Sequence, residues 1–193
     1  MSAHTAPGGK NAPIRGDDAS HAGGPSLPHH LEAIDAAPYL DALAGRFGID
    51  PEILSRHYRF FRSGGRNLSA VGRALAVPPE VRIRFTGIRI LRTSMATPKP
   101  TSEAVPLLGS LATRNTIALD AEEIDAVRRH EDILADANRI RDYRGPGFVI
   151  AFFRGIPVAL VSARPASEDG DPSVHRVLLR SWYPERRLGT VET

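Results

Sequence analysis

The chain has 193 residues, a formal net charge of +3 and no cysteine. At that length one domain or two small ones can bury roughly 70% of the unfolded surface, so no outside staple is needed. The missing cysteine excludes disulfides, thiolate metal sites and a cysteine nucleophile together, and it fits a reducing compartment.

Arginine supplies 23 of the 25 basic residues, and its planar guanidinium suits bidentate phosphate contact and base stacking. Distribution says more than the total. Between Arg46 and Lys99 stand eleven basic residues against three acidic ones, a net of +8 in about a third of the chain. A local basic field of this kind attracts polyanions. No apolar run nears the roughly 18 residues of a membrane span, and the N-terminus lacks the apolar stretch of a signal peptide. A cytoplasmic protein without a membrane partner is the expectation.

Residues 1–30 are rich in Gly, Pro, Ala and small polar side chains, with little to bury, and are predicted to form a disordered tail. His4, His21, His29 and His30 lie scattered or adjacent there without ligand spacing, so no metal site is expected. Leu40, Leu43 and Phe47 fall on one face of a short helix that Gly48 can end in the left-handed conformation. Asp50 caps, and Pro51 opens, a second short helix reaching about Ser55. "HYRFFRSGGRNLSAVG" reads as a hairpin turning at Gly64-Gly65. In "VRIRFTGIRILRT", Val81, Ile83 and Phe85 alternate with Arg82 and Arg84, and the parity flips after Gly87, which predicts a β-bulge at that glycine.

"PKPTSEAVPLLGSLAT" leads into a helix with Leu107, Leu108 and Leu111 as its apolar contacts, kept short by Pro106. "NTIALD" is a brief strand. Asp120 and Glu123 then form a capping box for a helix that turns Ile124 and Val127 inward. "GFVIAFFRGIPVALVSA" reads as a hairpin about Arg154-Gly155, buried on most sides as in a small barrel. "VHRVLLR" is the last strand.

Catalytic signatures are missing. The serines sit outside any G-x-S-x-G elbow, the glycines never make G-x-G-x-x-G, and no HExxH pattern exists. The cluster Asp125, His130, Glu131 and Asp132 lies on or just after a predicted helix, where pairs such as Asp125 with Arg129 explain it as a solvated face. What remains is arginine interleaved with aromatics: Tyr58, Phe60, Phe61 and Arg62 in one place, Arg180, Trp182, Tyr183, Arg186 and Arg187 in another. Arg contacts phosphates while aromatic faces stack on unpaired bases. Each of those aromatics, Trp182 included, is also a natural core residue.

Three stretches taken in order, "IRILRTSMATPKPTSEAVPLLGSLATRNTIALDAEEIDAVRRHEDI", "GPGFVIAFFRGIPVALVSA" and "VLLRSWYPERRLG", resemble the C-terminal region of the Sun/Fmu-type RNA 5-methylcytosine methyltransferases. Gly87 to Arg92 match the first element of that region. Gly147-Phe148, Gly155, Pro157 and Leu179 to Arg187 match the last two. The chain is also similar to stand-alone archaeal proteins built from the same region. Two positions depart from the pattern: Ser181 replaces the amide of the family's "lKN", and Ala159 follows its Pro and apolar residue. The resemblance implies an α+β fold, with a small α/β subdomain over 31–115 followed by a PUA-like β-barrel over 116–190. It implies RNA binding without methyl transfer, because the family's catalytic cysteines and methyl-donor loop are missing.

Together these readings predict a non-catalytic RNA-binding protein of rRNA or tRNA maturation or modification. Its expected partner is structured RNA, with a methyltransferase or ribosome-assembly factor as a further one. The candidate RNA-binding residues are Arg89, Arg92, Lys99, Arg114, Arg180, Ser181, Tyr183, Arg186 and Arg187. No catalytic residue, metal or cofactor is expected. The alternative is a protein-interaction subunit docking on such a methyltransferase or factor, and an unrecognised hydrolase or transferase would draw on His57 or His130.

Overall fold

The computed structural model of the protein describes residues 31–75, 87–94, 97–166 and 175–182. The expectations for the 1–30 tail, for the alternation around Val81, Ile83 and Phe85, and for Tyr183, Arg186 and Arg187 lie outside those residues. The described part is mixed α and β, with four helices and two sheets.

Strand β1 (Glu32–Ala33) leads into α1 (Ala37–Phe47), which buries Leu40, Leu43 and Phe47 and stops where Gly48 takes a φ of 65°. Asp50 accepts a hydrogen bond from the Glu52 amide and Pro51 fills the first turn of α2 (Pro51–His57), which runs past the expected Ser55. β2 (Tyr58–Ser63) and β3 (Asn67–Gly72) form the hairpin at Gly64 and Gly65, both at positive φ. β4 (Ile88–Arg92) and β5 (Lys99–Pro100) complete an antiparallel sheet in the order β1-β2-β3-β4-β5.

A β-bulge stands at Ile90, while the one expected at Gly87 turns on the strand before it, which lies outside the described residues. The β3–β4 register passes from Leu68 opposite Leu91 to Ser69 opposite Arg89. Ile90 and Leu91 are neighbours in sequence and both are buried. The extra residue lets the two consecutive side chains enter the core while Arg89 and Arg92 stay outside. Gly87, at φ 80°, is needed for close approach: a Cβ there would overlap the Ala70 carbonyl.

A 3-10 turn, Ser102–Ala104, capped by Thr101, opens α3 (Val105–Leu111), which seats Leu108 in the core with Leu107 and Leu111 at its margin. After β6 (Thr116–Ala118), the capping box of α4 (Ala121–Arg128) is made in both directions between Asp120 and Glu123. Val127 is buried and Ile124 packs beside it. β7 (Ile133–Asp136) and β8 (Ile140–Arg141) follow, joined by a turn over Ala137–Arg139. β9 (Gly147–Phe153) and β10 (Ile156–Pro165) make the hairpin through Arg154 and Gly155, at φ 50° and 78°, and β11 (Arg176–Ser181) is the last strand.

The second sheet runs β7-β11-β10-β9-β6-β8, antiparallel except where β6 meets β9. Its two edge strands, β7 and β8, are separated in sequence only by Ala137–Arg139. Six strands laid flat would hold those edges about 24 Å apart. Four peptide steps from Asp136 to Ile140 reach at most about 14 Å. The sheet therefore curls, as a partial barrel.

The β9–β10 hairpin is buried on both faces. Val149, Ala151, Ala159 and Val161 belong to the core inside the curled sheet, whereas Ile150 and Leu160 join the core built by α1, α2, β3, β4 and α3. Helix α3 lies directly on this hairpin, where a Cβ on Gly109 would collide with the Pro157 ring. Residues from both sides of position 115 thus share one core, which accounts for the unbroken apolar runs of the hairpin.

Asn115 ties the junction. It is fully buried at φ 49°. Its side chain donates to the Arg46 carbonyl and accepts from the Arg144 amide at 3.0 Å, while its backbone bonds Arg141 and Ile150. Arg46 reaches back, giving Nε to the Phe148 carbonyl at 2.8 Å and Nη1 to the carbonyls of residues 144–146. Asn115→Ala strands two buried partners, and urea unfolding is expected to show a loss of about 2–4 kcal/mol.

Candidate nucleic-acid interface

Two cations face each other across the β4–β5 ladder, with Arg92 directly opposite Lys99. Pro98 and Pro100 keep the chain extended on either side of Lys99. β5 tolerates a proline because it is the sheet's edge strand. Like charges directly opposite on a ladder repel, so something else must hold this pair.

The Lys99 side chain folds inward and is only 9% exposed. Its Nζ lies 3.1 Å from the centroid of the Trp182 ring and 5.9 Å from that of Phe148. Those two rings meet edge to face, 6.4 Å between centroids. Trp182 is fixed by its amide, which donates to the Leu160 carbonyl at 3.0 Å, and by its carbonyl, which accepts from the Ser102 hydroxyl at 3.3 Å. A cation over an indole gains about 0.5–2 kcal/mol. No carboxylate pairs with Lys99 or with Arg92 among the described residues. Desolvation, with the Arg92 charge second, holds the Lys99 amine below its ordinary value.

Arg92, Lys99, Arg89, Asn67, Ser102 and Trp182 line a cavity of about 470 Å³. Trp182 is 41% exposed there. Glu103 stands on the same wall and holds Arg89 through a two-point contact, Nε to Oε2 at 3.1 Å and Nη2 to Oε1. That bond keeps the Glu103 carboxyl below the usual range and raises Arg89. Both side chains are nearly half exposed, and exposed pairs are worth about 0.2–1 kcal/mol. The cavity thus combines two uncompensated cations, one weakly committed arginine and an aromatic face.

The other candidates sit elsewhere. Arg180 projects from the outward face of β11 and forks onto Asp132 at 3.2 and 3.1 Å, with Arg164 at 3.8 Å on the same carboxylate. Arg114 lies 3.5 Å from Asp142 and packs over Gly48. Ser181, proposed as an RNA contact, is buried, and its hydroxyl donates to the Val127 carbonyl at 2.8 Å. Strand alternation explains this, because Ser181 shares the inward face with Leu179. Phe61 is in the core and Phe60 packs against core residues. Asp125 pairs with Arg128, not Arg129, which turns to Glu131.

A second cavity, about 340 Å³, lies between α1 and β4–β5, lined by Leu43, Phe47, Leu91, Pro98 and Phe148 with Arg46. It is mainly apolar, and Arg46 spends its Nε and Nη1 donors on backbone carbonyls. Neither His57 nor His130 lines either cavity. Among the described residues no group of three His, Asp or Glu side chains is placed to hold a metal, and no helix is long and apolar enough to cross a membrane.

No protein-family model and no curated protein sequence matches the chain.

Sequence reasoning missed Asn67, Ser102, Glu103 and the role of Trp182 as a seat for Lys99. One signal was present. Lys99 is one of only two lysines beside 23 arginines, and it stands between two prolines.

The depressed amine has a pH consequence. The folded value lies below the ordinary 10.5, so the unfolded chain holds this proton more tightly. Burial of the ammonium costs stability below the folded value, and that cost fades as pH rises through it toward 10.5. Side-chain NMR of the folded protein is expected to show Lys99 titrating below 10.5 and returning to it in urea.

Proposed function

We propose that the protein binds RNA without catalysing a reaction, holding backbone phosphate at Arg92 and Lys99 and stacking an unpaired base on Trp182. The observation that carries this reading is the pair of uncompensated cations lining a cavity beside a half-exposed indole. A phosphate between them would relieve their mutual repulsion, and the part of the indole that Lys99 leaves exposed offers a base the aromatic surface that single-stranded segments use. The curled second sheet supports the further reading of a PUA-like barrel, and the Sun/Fmu resemblance supports a cytoplasmic role in rRNA or tRNA maturation or modification. A methyltransferase or ribosome-assembly factor would then supply any chemistry. Arg89 is a reserve contact on the same wall, while Arg114 and Arg180 would need to leave Asp142 and Asp132 to join.

Fluorescence anisotropy with a labelled single-stranded RNA at low salt tests this. The wild-type chain is expected to bind, with a negative log–log salt slope of about 0.7 per phosphate contacted. Arg92→Ala and Lys99→Ala should each lose about tenfold or more in affinity and flatten that slope by about 0.7. Trp182→Ala should lose about fivefold to a hundredfold, with most of the loss recovered in Trp182→Phe. Unchanged affinity and slope in the Arg92 and Lys99 variants overturns the proposal. So does absence of binding by the wild type. A pull-down of a methyltransferase that survives nuclease treatment, from a chain that binds no RNA, would favour a docking subunit.

A further inference from the structure

We infer that Glu103 is an internal substitute for a second phosphate, so that the cavity takes oligonucleotides with consecutive phosphates by exchange at Arg89 and takes single phosphates without it. The inference rests on the RNA-binding reading above. It starts from the unequal state of the three cations on this wall.

Among the described residues Arg92 and Lys99 have no carboxylate partner, whereas Arg89 is gripped at two points by Glu103. The fork that Glu103 offers Arg89, two oxygens to two N–H groups, is the geometry that phosphate also offers. Arg89 and Arg92 lie on one strand, both exposed, with the bulge at Ile90 between them. They lie at most about 10 Å apart along β4, and because Glu103 already fills the Arg89 fork, an anion seated at Arg92 and Lys99 leaves Arg89 to a second anionic group. Glu103 itself is held in place by neighbours with other duties. It lies in the 3-10 turn that Thr101 caps, and the Thr101 hydroxyl also donates to the Arg89 carbonyl. Arg89 and its carboxylate are therefore anchored by the same turn, and the side-chain pair can open without moving the backbone.

A lone phosphate gains the Arg92–Lys99 pair and leaves Glu103 on Arg89. A strand with adjacent phosphates offers Arg89 a replacement for its carboxylate, and the displaced Glu103 turns to solvent. The carboxylate thus leaves the binding of isolated anions unchanged and sets how tightly polyanions bind.

The test compares the wild type with Glu103→Gln, using single-stranded RNA oligomers and inorganic phosphate as probes and the single tryptophan as reporter. Glu103→Gln is expected to bind the oligomer about threefold to tenfold more tightly and to steepen its salt slope by about 0.7, one added phosphate contact. Affinity for inorganic phosphate should stay within about twofold. In an Arg89→Ala background, Glu103→Gln should no longer change the slope, which separates exchange at Arg89 from a general loss of negative charge. Wild-type RNA binding with an unchanged slope in Glu103→Gln overturns the exchange and leaves RNA binding standing. An equal gain for phosphate and oligomer also overturns it. Absence of RNA binding by both proteins overturns the exchange together with the reading it rests on.

Discussion

Lys99 carries an ammonium that is only 9% exposed and has no carboxylate partner among the described residues, and the arrangement of the site depends on how it is held. An ion pair would have been the simpler solution, but it would have cancelled the charge. Resting Nζ on the Trp182 ring steadies the cation through the ring quadrupole and leaves its field intact. Arg92 across the ladder then adds to that field. Arg89, Arg114 and Arg180 are partnered by Glu103, Asp142 and Asp132. The basic count of the chain therefore overstates its available charge, and the uncompensated part of this site is concentrated at one ladder position.

That contact spans the two sheets. Lys99 belongs to β5, Phe148 to β9, and Trp182 follows β11. A cation held over a ring needs its two supports fixed to each other, and the junction supplies this. Asn115 and Arg46 knit the end of α1 to the start of β9, and Gly109 lets α3 lie on the β9–β10 hairpin. Ile150 and Leu160 from that hairpin enter the core of the first sheet. The shared core makes the spacing between Lys99 and Trp182 a property of the whole described fold.

Local features of this fold were legible in the sequence. The Asp120–Glu123 box, the Asp50–Pro51 start, the Gly48 stop and both hairpin turns depend on residues within a few positions of each other, and each forms as read. Long-range choices were not. Trp182 and Lys99 are remote in sequence, and no periodicity announces that an indole will seat an ammonium. Arg180 finds Asp132 across 48 positions, so its place beside aromatics in sequence did not predict its partner. The strands β1, β5 and β8 have two residues each, too short to show alternation, which is why the curl of the second sheet was expected only in outline. The bulge at Ile90 went unread: it carries two adjacent apolar side chains, Ile90 and Leu91, into the core together. Ser181 reads as a contact by its place in a motif, but its parity with Leu179 turns it inward.

Ultraviolet cross-linking of the chain to uniformly labelled single-stranded RNA, followed by mass spectrometric localisation of the adducts, tests the central claim most directly. Trp182 is photoreactive and stands at the cavity proposed to receive a base. Adducts are expected on the peptide carrying Trp182 or the one carrying Lys99, suppressed when both Arg92 and Lys99 are replaced by Ala. Adducts confined to the surroundings of Arg164, Arg180 and Asp132, with none at Trp182 or Lys99, would contradict it.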